Sequence, residues 1–340
     1  MGNKKTKRVF LILLGLVLVG VLFVSGFLFF YLSSFSKAAG LNNKKIIKQV
    51  YSGFKRPYQE KYLTFLILGT DQRPSGNSLL TDTILLAVIN AKSGNYLLFS
   101  IPRDLWLDDL QTKINALYYY GQEKNSNDGT QLVKEKLEEI FDWPINYSIV
   151  LEMEDIKKII DLIGGVEVTV ERAFVDKQFP RDDGSNEIMT IKFKQGKQTF
   201  SGERALQFIR SRKSEDFIEG TDLARQKRQQ KVIVALKSKI VSDRTLFLNA
   251  GKLGRLYSFL NKNIKTRPKL DLKILASFWQ VGLKAVRGRQ KEAEIPWRGE
   301  EAILVSDHDP VYGTWILRPK NENWGLIKNY FLLLINELAG

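Results

Sequence analysis

Residues Val9 to Leu32 form a run of 24 residues without a single charge, and no other feature limits the possible folds so strongly. A helix of that length spans roughly 30 Å of hydrocarbon with some tilt. A cleavable signal sequence has a shorter apolar centre, and a core helix apolar all round needs protein on every side. The run therefore reads as one transmembrane helix. Lys4, Lys5, Lys7 and Arg8 abut its N-terminal end, while Lys37, Lys44 and Lys45 follow at a greater distance. The positive-inside bias puts the N-terminus in the cytoplasm and about 300 residues on the other side.

That topology governs how the net charge of +15 is read. Residues 1–60 hold ten Lys/Arg and one acid, Glu60, so more than half of the excess surrounds the span. A domain outside the cytoplasm meets no DNA, so nucleic acid is not an expected partner. The basic stretch Lys44 to Arg56 suits either anionic headgroups or a solvated linker, and both readings stay open. The chain has no cysteine and one histidine, His308. Disulfide frameworks, thiolate metal sites and cysteine nucleophiles are excluded, and a Ser/His/Asp hydrolase is disfavoured. What remains is chemistry done with carboxylates, basic side chains and a hard metal ion.

Beyond the flank, short apolar runs alternate with helical patterns. Leu63–Leu68, Thr83–Ile89 and Tyr96–Ile101 read as buried strands, each delivering polar residues at its end. Asn90–Asn95 reads as the turn of a hairpin. Gln131–Phe141 and Glu154–Ile163 carry helical periodicity, with Gly164-Gly165 as a stop before a strand Val166–Val170. Ser201 suits the N-cap of a helix to Ile209, and Thr221 or Asp222 that of a longer helix to about Ile240. Strands alternating with helices predict an α/β layered domain.

The polar residues at the strand ends carry the chemistry. Asp71 and Asp82 flank one loop, an arrangement that aims two carboxylates at one Mg²⁺. Arg73, Arg103, Arg210, Arg212, Arg225 and Arg228 fall at strand ends, in loops or on one helix face, with Gln229 beside the last. Guanidinium forks match phosphate oxygens in bidentate geometry. Acids and arginines converging on the edges of one sheet point to a pyrophosphate ligand. Taken singly, a strand-end Asp is as readily a turn residue, and arginines at i, i+3 a solvated face.

The blocks LILGTDQR (66–73), LTDTILL (80–86), FSIPRD (99–104), KINALYYYG (113–121), IGGVEV (163–168), ALQFIRSR (205–212) and DLARQKRQQ (222–230) follow in order. Their sequence and spacing resemble the LytR–CpsA–Psr family of bacterial cell-envelope proteins. The resemblance implies an α/β/α mixed-sheet extracytoplasmic domain over 62–240, behind a cytoplasmic basic tail (1–8), a transmembrane helix (9–32) and a juxtamembrane basic linker (33–61). Residues 241–340 are expected to be an α/β extension of unassigned role. The implied activity is a phosphotransferase, moving an anionic glycopolymer from an undecaprenyl pyrophosphate carrier to a peptidoglycan sugar hydroxyl, with pyrophosphate hydrolysis as a side reaction. By resemblance, Asp71 and Asp82 hold Mg²⁺ as cofactor, and Arg73, Arg103, Arg210, Arg212, Arg225, Arg228 and Gln229 contact phosphate. Asp82, Arg103 and Arg228 are the expected catalytic residues, with Asp82 or Asp104 as base. Two positions depart from the family pattern. Leu80 stands where an arginine is usual, and Gly121-Gln122 where Gly-Gly is usual. The missing arginine keeps a second reading open, a membrane-tethered protein that binds lipid-linked polymer without transferring it. A third reading, an envelope-associated regulator, sits poorly with the external topology.

Overall fold

The computed structural model describes residues 25–70, 80–124, 128–181, 187–309 and 313–339. Its centre is a six-stranded mixed sheet. Strands β1 (Tyr62–Thr70), β2 (Thr81–Asn90) and β3 (Tyr96–Ile101) form an antiparallel meander through the expected hairpin turn. The strand Tyr147–Glu152 runs parallel to β1, and Gln290–Glu294 parallel to β3. Lys265–Arg267 closes one edge, antiparallel to Tyr147–Glu152. The central strand β1 is apolar on both faces because helices lie on both sides of it, the usual reason for a continuous hydrophobic run.

One face is packed dry. Ile84, Leu86 and Val88 of β2 and Leu97, Phe99 and Ile101 of β3 meet the helices Leu117–Lys124, Thr130–Phe141 and Trp324–Glu337. The rings of Phe99, Phe141 and Phe331 stack there with centroids 4.7–5.6 Å apart. Behind Tyr147–Glu152 on the other face lies a second core. It is built by the helices Met153–Ile163, Gly202–Arg210, Asp222–Ser242 and Ala250–Asn263, with the hairpin-like ladders Phe174–Pro180/Ile188–Phe193 and Val166–Val170/Gly196–Phe200. The start and stop signals hold. The Ser201 hydroxyl accepts from Arg204 N, the Thr221 hydroxyl from Ala224 N, and Gly164 ends its helix with φ +85°.

The structure adds to three expectations. The stretch 33–61, expected as a juxtamembrane basic linker, is helical up to residue 39 and again over Asn43–Phe54. Gly53 brings that second helix against Leu272–Ser277 so closely that a Cβ would lie 2.2 Å from Lys273 O. Residues 241–340 are no appendage. They supply both edge strands of the sheet and, in Phe331, a ring at the heart of the first core. Thirdly, Asp82, expected to flank the loop before this strand, is the second residue of β2. The uncharged span falls outside the described residues except for 25–32, and among the described residues no helix is long and apolar enough to cross a membrane.

Candidate active site

A slip in strand register creates the site. Pairing between β1 and β2 runs evenly from Tyr62/Asn90 to Gly69/Thr83, and then Thr70 faces Thr81. Asp82 is the surplus residue of a β-bulge, and bulges re-aim side chains. In an even strand Asp82 would share the face of Ile84 and Leu86 and be driven into the apolar core. With the bulge, Asp82 and its neighbour Thr83 both reach the helix Asp222–Ser242: the Thr83 hydroxyl donates to Gln229 Oε1 at 3.4 Å, and Asp82 Oδ2 lies 3.7 Å from Arg225 Nη1.

Around Asp82 three guanidinium groups converge. Arg103, just past the end of β3, donates through Nη1 to Asp82 Oδ1 at 2.5 Å. Arg212 Nη2 stands 3.6 Å and Arg225 Nη1 3.7 Å from Oδ2. Asp104 is held by Lys113 Nζ at 2.9 Å and lies 3.4 Å from Arg103 Nε. One carboxylate faces three guanidinium groups at Asp82. Guanidinium forks gathered at one point suit the oxygens of an anion.

Arg228 goes elsewhere. It is buried, and it donates to Phe208 O (2.8 Å), Ser211 O (2.6 Å), Glu219 O (2.8 Å) and Glu219 Oε2 (2.7 Å). Burial pushes its pKa down, opposed by the hydrogen bond and charge of Glu219. The spacing explains the divergence from Arg225. Three helical residues turn the chain through roughly 300°, so Arg228 points about 60° away from Arg225, whereas Gln229 stays within about 40° of it. Arg210 is also buried, with Nη1 3.6 Å from Glu154 Oε1. Arg228 and Arg210 thus brace the segment that carries Arg212. Asp71 and Arg73 lie outside the described residues.

Next to the charged cluster, a cleft of about 410 Å³ runs between the sheet and the long helix. Leu85, Leu98, Ile233, Val234, Trp297 and Trp315 give it apolar walls, with the two indoles edge to face at 5.8 Å. Sequence reasoning missed Trp297, Trp315 and Lys113. Trp297 stands in an irregular stretch, and Trp315 opens the short strand Trp315–Pro319, where nothing local ties it to the site. Leu317 N donates to Asp104 O at 2.9 Å, which anchors the C-terminal wall to the site.

Among the described residues no three carboxylate or imidazole groups form a ready metal site. Mg²⁺ commonly binds through one or two carboxylates and takes its other ligands from phosphates and water. Asp82 fits that pattern only in company, because three guanidinium groups repel a dication unless an anion arrives with it.

Three guanidinium groups thus stand at the mouth of an apolar cleft. The chain belongs to the LytR_cpsA_psr family, whose pattern matches residues 28–300. It is 27% identical over 309 residues to the polyisoprenyl-teichoic acid–peptidoglycan teichoic acid transferase TagU of Bacillus subtilis (strain 168), covering 87% of this chain and 89% of that one. The TagU of Oceanobacillus iheyensis is 30% identical over 271 residues, 76% of each chain. Among solved structures, TagT bound to LIIa-WTA superposes with a TM-score of 0.57 at 22% identity, covering 83% of this chain and 92% of that one. B. subtilis TagV gives 0.58 at 20% identity, covering 80% and 96%. These likenesses establish the α/β/α mixed-sheet fold.

Proposed function

We propose that this chain is a membrane-anchored phosphotransferase that moves a glycopolymer from a polyprenyl-pyrophosphate carrier to a sugar hydroxyl of peptidoglycan. The observation that carries the reading is the convergence of Arg103, Arg212 and Arg225 on Asp82 at the mouth of an apolar cleft. The oxygens of a pyrophosphate diester suit the forks of guanidinium groups. Its polyprenyl tail suits the walls formed by Leu98, Ile233 and Trp297. The transferase names of the Bacillus and Oceanobacillus relatives point the same way.

The acceptor oxygen attacks the phosphorus nearest the polymer, and the bond to the bridging oxygen breaks so that polyprenyl phosphate leaves. Negative charge spreads over the equatorial oxygens in the transition state, and fixed guanidinium groups stabilise it there more than in the ground state. Arg103 and Arg225, tied to Asp82, are pre-oriented for this, while the more exposed Arg212 can follow the polymer side. Bound together with the pyrophosphate, Mg²⁺ would supply further charge neutralisation, with Asp82 and, by resemblance, Asp71 as protein ligands. Asp82 or Asp104 would accept the acceptor's proton. Water in place of the sugar gives slow pyrophosphate hydrolysis.

The decisive assay incubates the full chain with polyprenyl-pyrophosphate-linked polymer, peptidoglycan and Mg²⁺. Release of polyprenyl phosphate, matched by polymer bound to peptidoglycan and lost in Asp82→Asn, is expected. Retention of intact lipid-linked polymer without release would overturn transfer in favour of tethered binding, the reading left open by Leu80. Mg²⁺ titrated into substrate-free protein should give no heat and should bind once a soluble polyprenyl-pyrophosphate analogue is present. Tight binding to the free protein would break the coupled-metal reading. A reporter active only outside the cytoplasm, fused after Gly340, should be active. Silence there, with activity of a cytoplasmic reporter, would reverse the topology.

A further inference from the structure

Far from the cluster around Asp82, two helices leave matching apolar stripes uncovered. On Asn43–Phe54, Ile47, Tyr51 and Phe54 follow at i, i+4 and i+7, and on Trp279–Arg287, Trp279, Leu283 and Val286 repeat the same spacing. Each of these six side chains is between 41% and 61% exposed. Neither helix is loose. Ile46 and Gly53 bury the inner face of the first, Val281 that of the second, and Phe54 meets Trp279 edge to face at 5.8 Å. The two stripes therefore form one continuous apolar strip, larger than the scattered exposed hydrophobes of an ordinary soluble surface.

Charge says what covers it. Residues 43–56 and 272–289 together contain nine Lys/Arg and no Asp or Glu. On the first helix Lys44, Lys48 and Lys55 lie about 60–100° round from Ile47, beside the apolar stripe and away from the buried face. Basic residues flanking a narrow apolar stripe are the pattern of a helix lying in a lipid interface. The course of the chain agrees. The helical residues 25–39 enter with Phe27, Leu28, Phe29 and Phe30 all more than half exposed, and only residues 40–42 separate them from Asn43.

We infer that the helices Asn43–Phe54 and Trp279–Arg287 form a docking face that rests in the anionic headgroup layer of the membrane, with Ile47, Tyr51, Phe54, Trp279, Leu283 and Val286 dipping into the acyl boundary. The inference rests on the reading of 9–32 as a membrane anchor and goes beyond it: a bare tether leaves the domain free to tumble, whereas this face fixes its orientation. The sheet then carries the site to a defined height. A Cβ on Gly94, just before β3, would meet the backbone of Lys284, whereas Arg103 follows the far end of the strand. The six residues of β3 put the site roughly 20 Å above the docking face. On β3 the apolar cleft is lined from Arg103 back to Leu98, that is, towards the membrane end. A polyprenyl tail can then rise from the bilayer along the cleft with its pyrophosphate at Asp82.

The absence of native cysteine permits a clean test. The full chain, reconstituted in vesicles containing phosphatidylglycerol, carries a spin label at Leu283→Cys or, as a control on the helix Leu117–Lys124, which follows the contact of Asn115 with Thr81 at the start of β2, at the exposed Glu123→Cys. The label at 283 should collide several-fold more with oxygen than with a water-soluble nickel complex, and the label at 123 should show the reverse. Charge reversal by Lys48→Glu with Arg287→Glu, or replacement of phosphatidylglycerol by phosphatidylcholine, should return the 283 label towards water. Vesicle flotation with the 283 label as wet as the 123 label sinks the docking face and leaves the anchor standing. Failure to float removes both. Dipolar broadening between 283 labels on separate molecules would assign the strip to a second copy of the chain and overturn the lipid reading.

Discussion

On one face of β2 and β3, Ile84, Leu86, Phe99 and Ile101 meet three helices in a ring-filled core. On the other face of the same strands, Leu85 and Leu98 look across a cleft of about 410 Å³ to Ile233 and Val234. Both sets of side chains are aliphatic or aromatic, and they alternate along the same backbone. The difference is what stands opposite. The packed face gains dispersion contacts on every side, whereas the cleft walls forgo them until a ligand arrives. The bulge at Asp82 belongs to the open face, and it moves a carboxylate from the dry side to the wet one.

The largest effect should come from breaking the packed face. Phe331→Ala should lower stability by about 3–5 kcal/mol in urea unfolding, while turnover per folded molecule stays unchanged. A loss below about 1 kcal/mol would mean that this face is no better packed than the cleft. The second should come from the open face. Arg103→Gln should lower polyprenyl phosphate release by about 10²–10³-fold with the unfolding midpoint little altered, since the guanidinium is needed for charge in the transition state. Equal release by both proteins would remove Arg103 from the site.

A finer contrast lies between two arginines of the same region. Arg228→Lys keeps the charge but leaves carbonyls of Phe208, Ser211 and Glu219 short of donors, so stability should fall by about 1–3 kcal/mol. Arg212→Lys, more exposed and loosely paired, should leave stability intact and slow turnover about tenfold. The opposite pattern would exchange the framework and phosphate roles given to them. Smallest of all, Leu98→Phe adds bulk to the cleft, where room exists, and should shift stability by less than about 1 kcal/mol. It should nevertheless slow transfer from a long polyprenyl carrier more than from a short one. An equal effect on both would show that the tail does not use this cleft.

Much of this was legible before any coordinates. The strands around Leu66, Leu86 and Phe99, the caps at Ser201 and Thr221, and the stop at Gly164 are local effects, decided by side chains within a few residues of each other. Arg103, Arg212 and Asp82 were identifiable as polar residues at the ends of apolar runs, and Arg225 as part of a polar helix face. The role of Arg228 was not, because a shared helix face predicts proximity and says nothing of the carbonyls of Phe208 and Ser211 waiting beside it. Nor was the place of 241–340. Lys265–Arg267 is three residues of strand with no periodicity, and it pairs only because Tyr147–Glu152 offers a free edge.

By itself, then, the sequence determined the uncharged span, the alternation of strand and helix, the family and the chemical types gathered for an anion. Periodicity and composition act over a few residues, so they survive without tertiary contacts. Only the folded chain decided that Asp82 turns out of the core, that Arg228 braces the site, and that Trp297 and Trp315 wall it. It also brought Ile47, Tyr51 and Phe54 beside Trp279, Leu283 and Val286. Each of those outcomes depends on which distant segment lies opposite, and register, edge pairing and close packing settle that together over the whole chain.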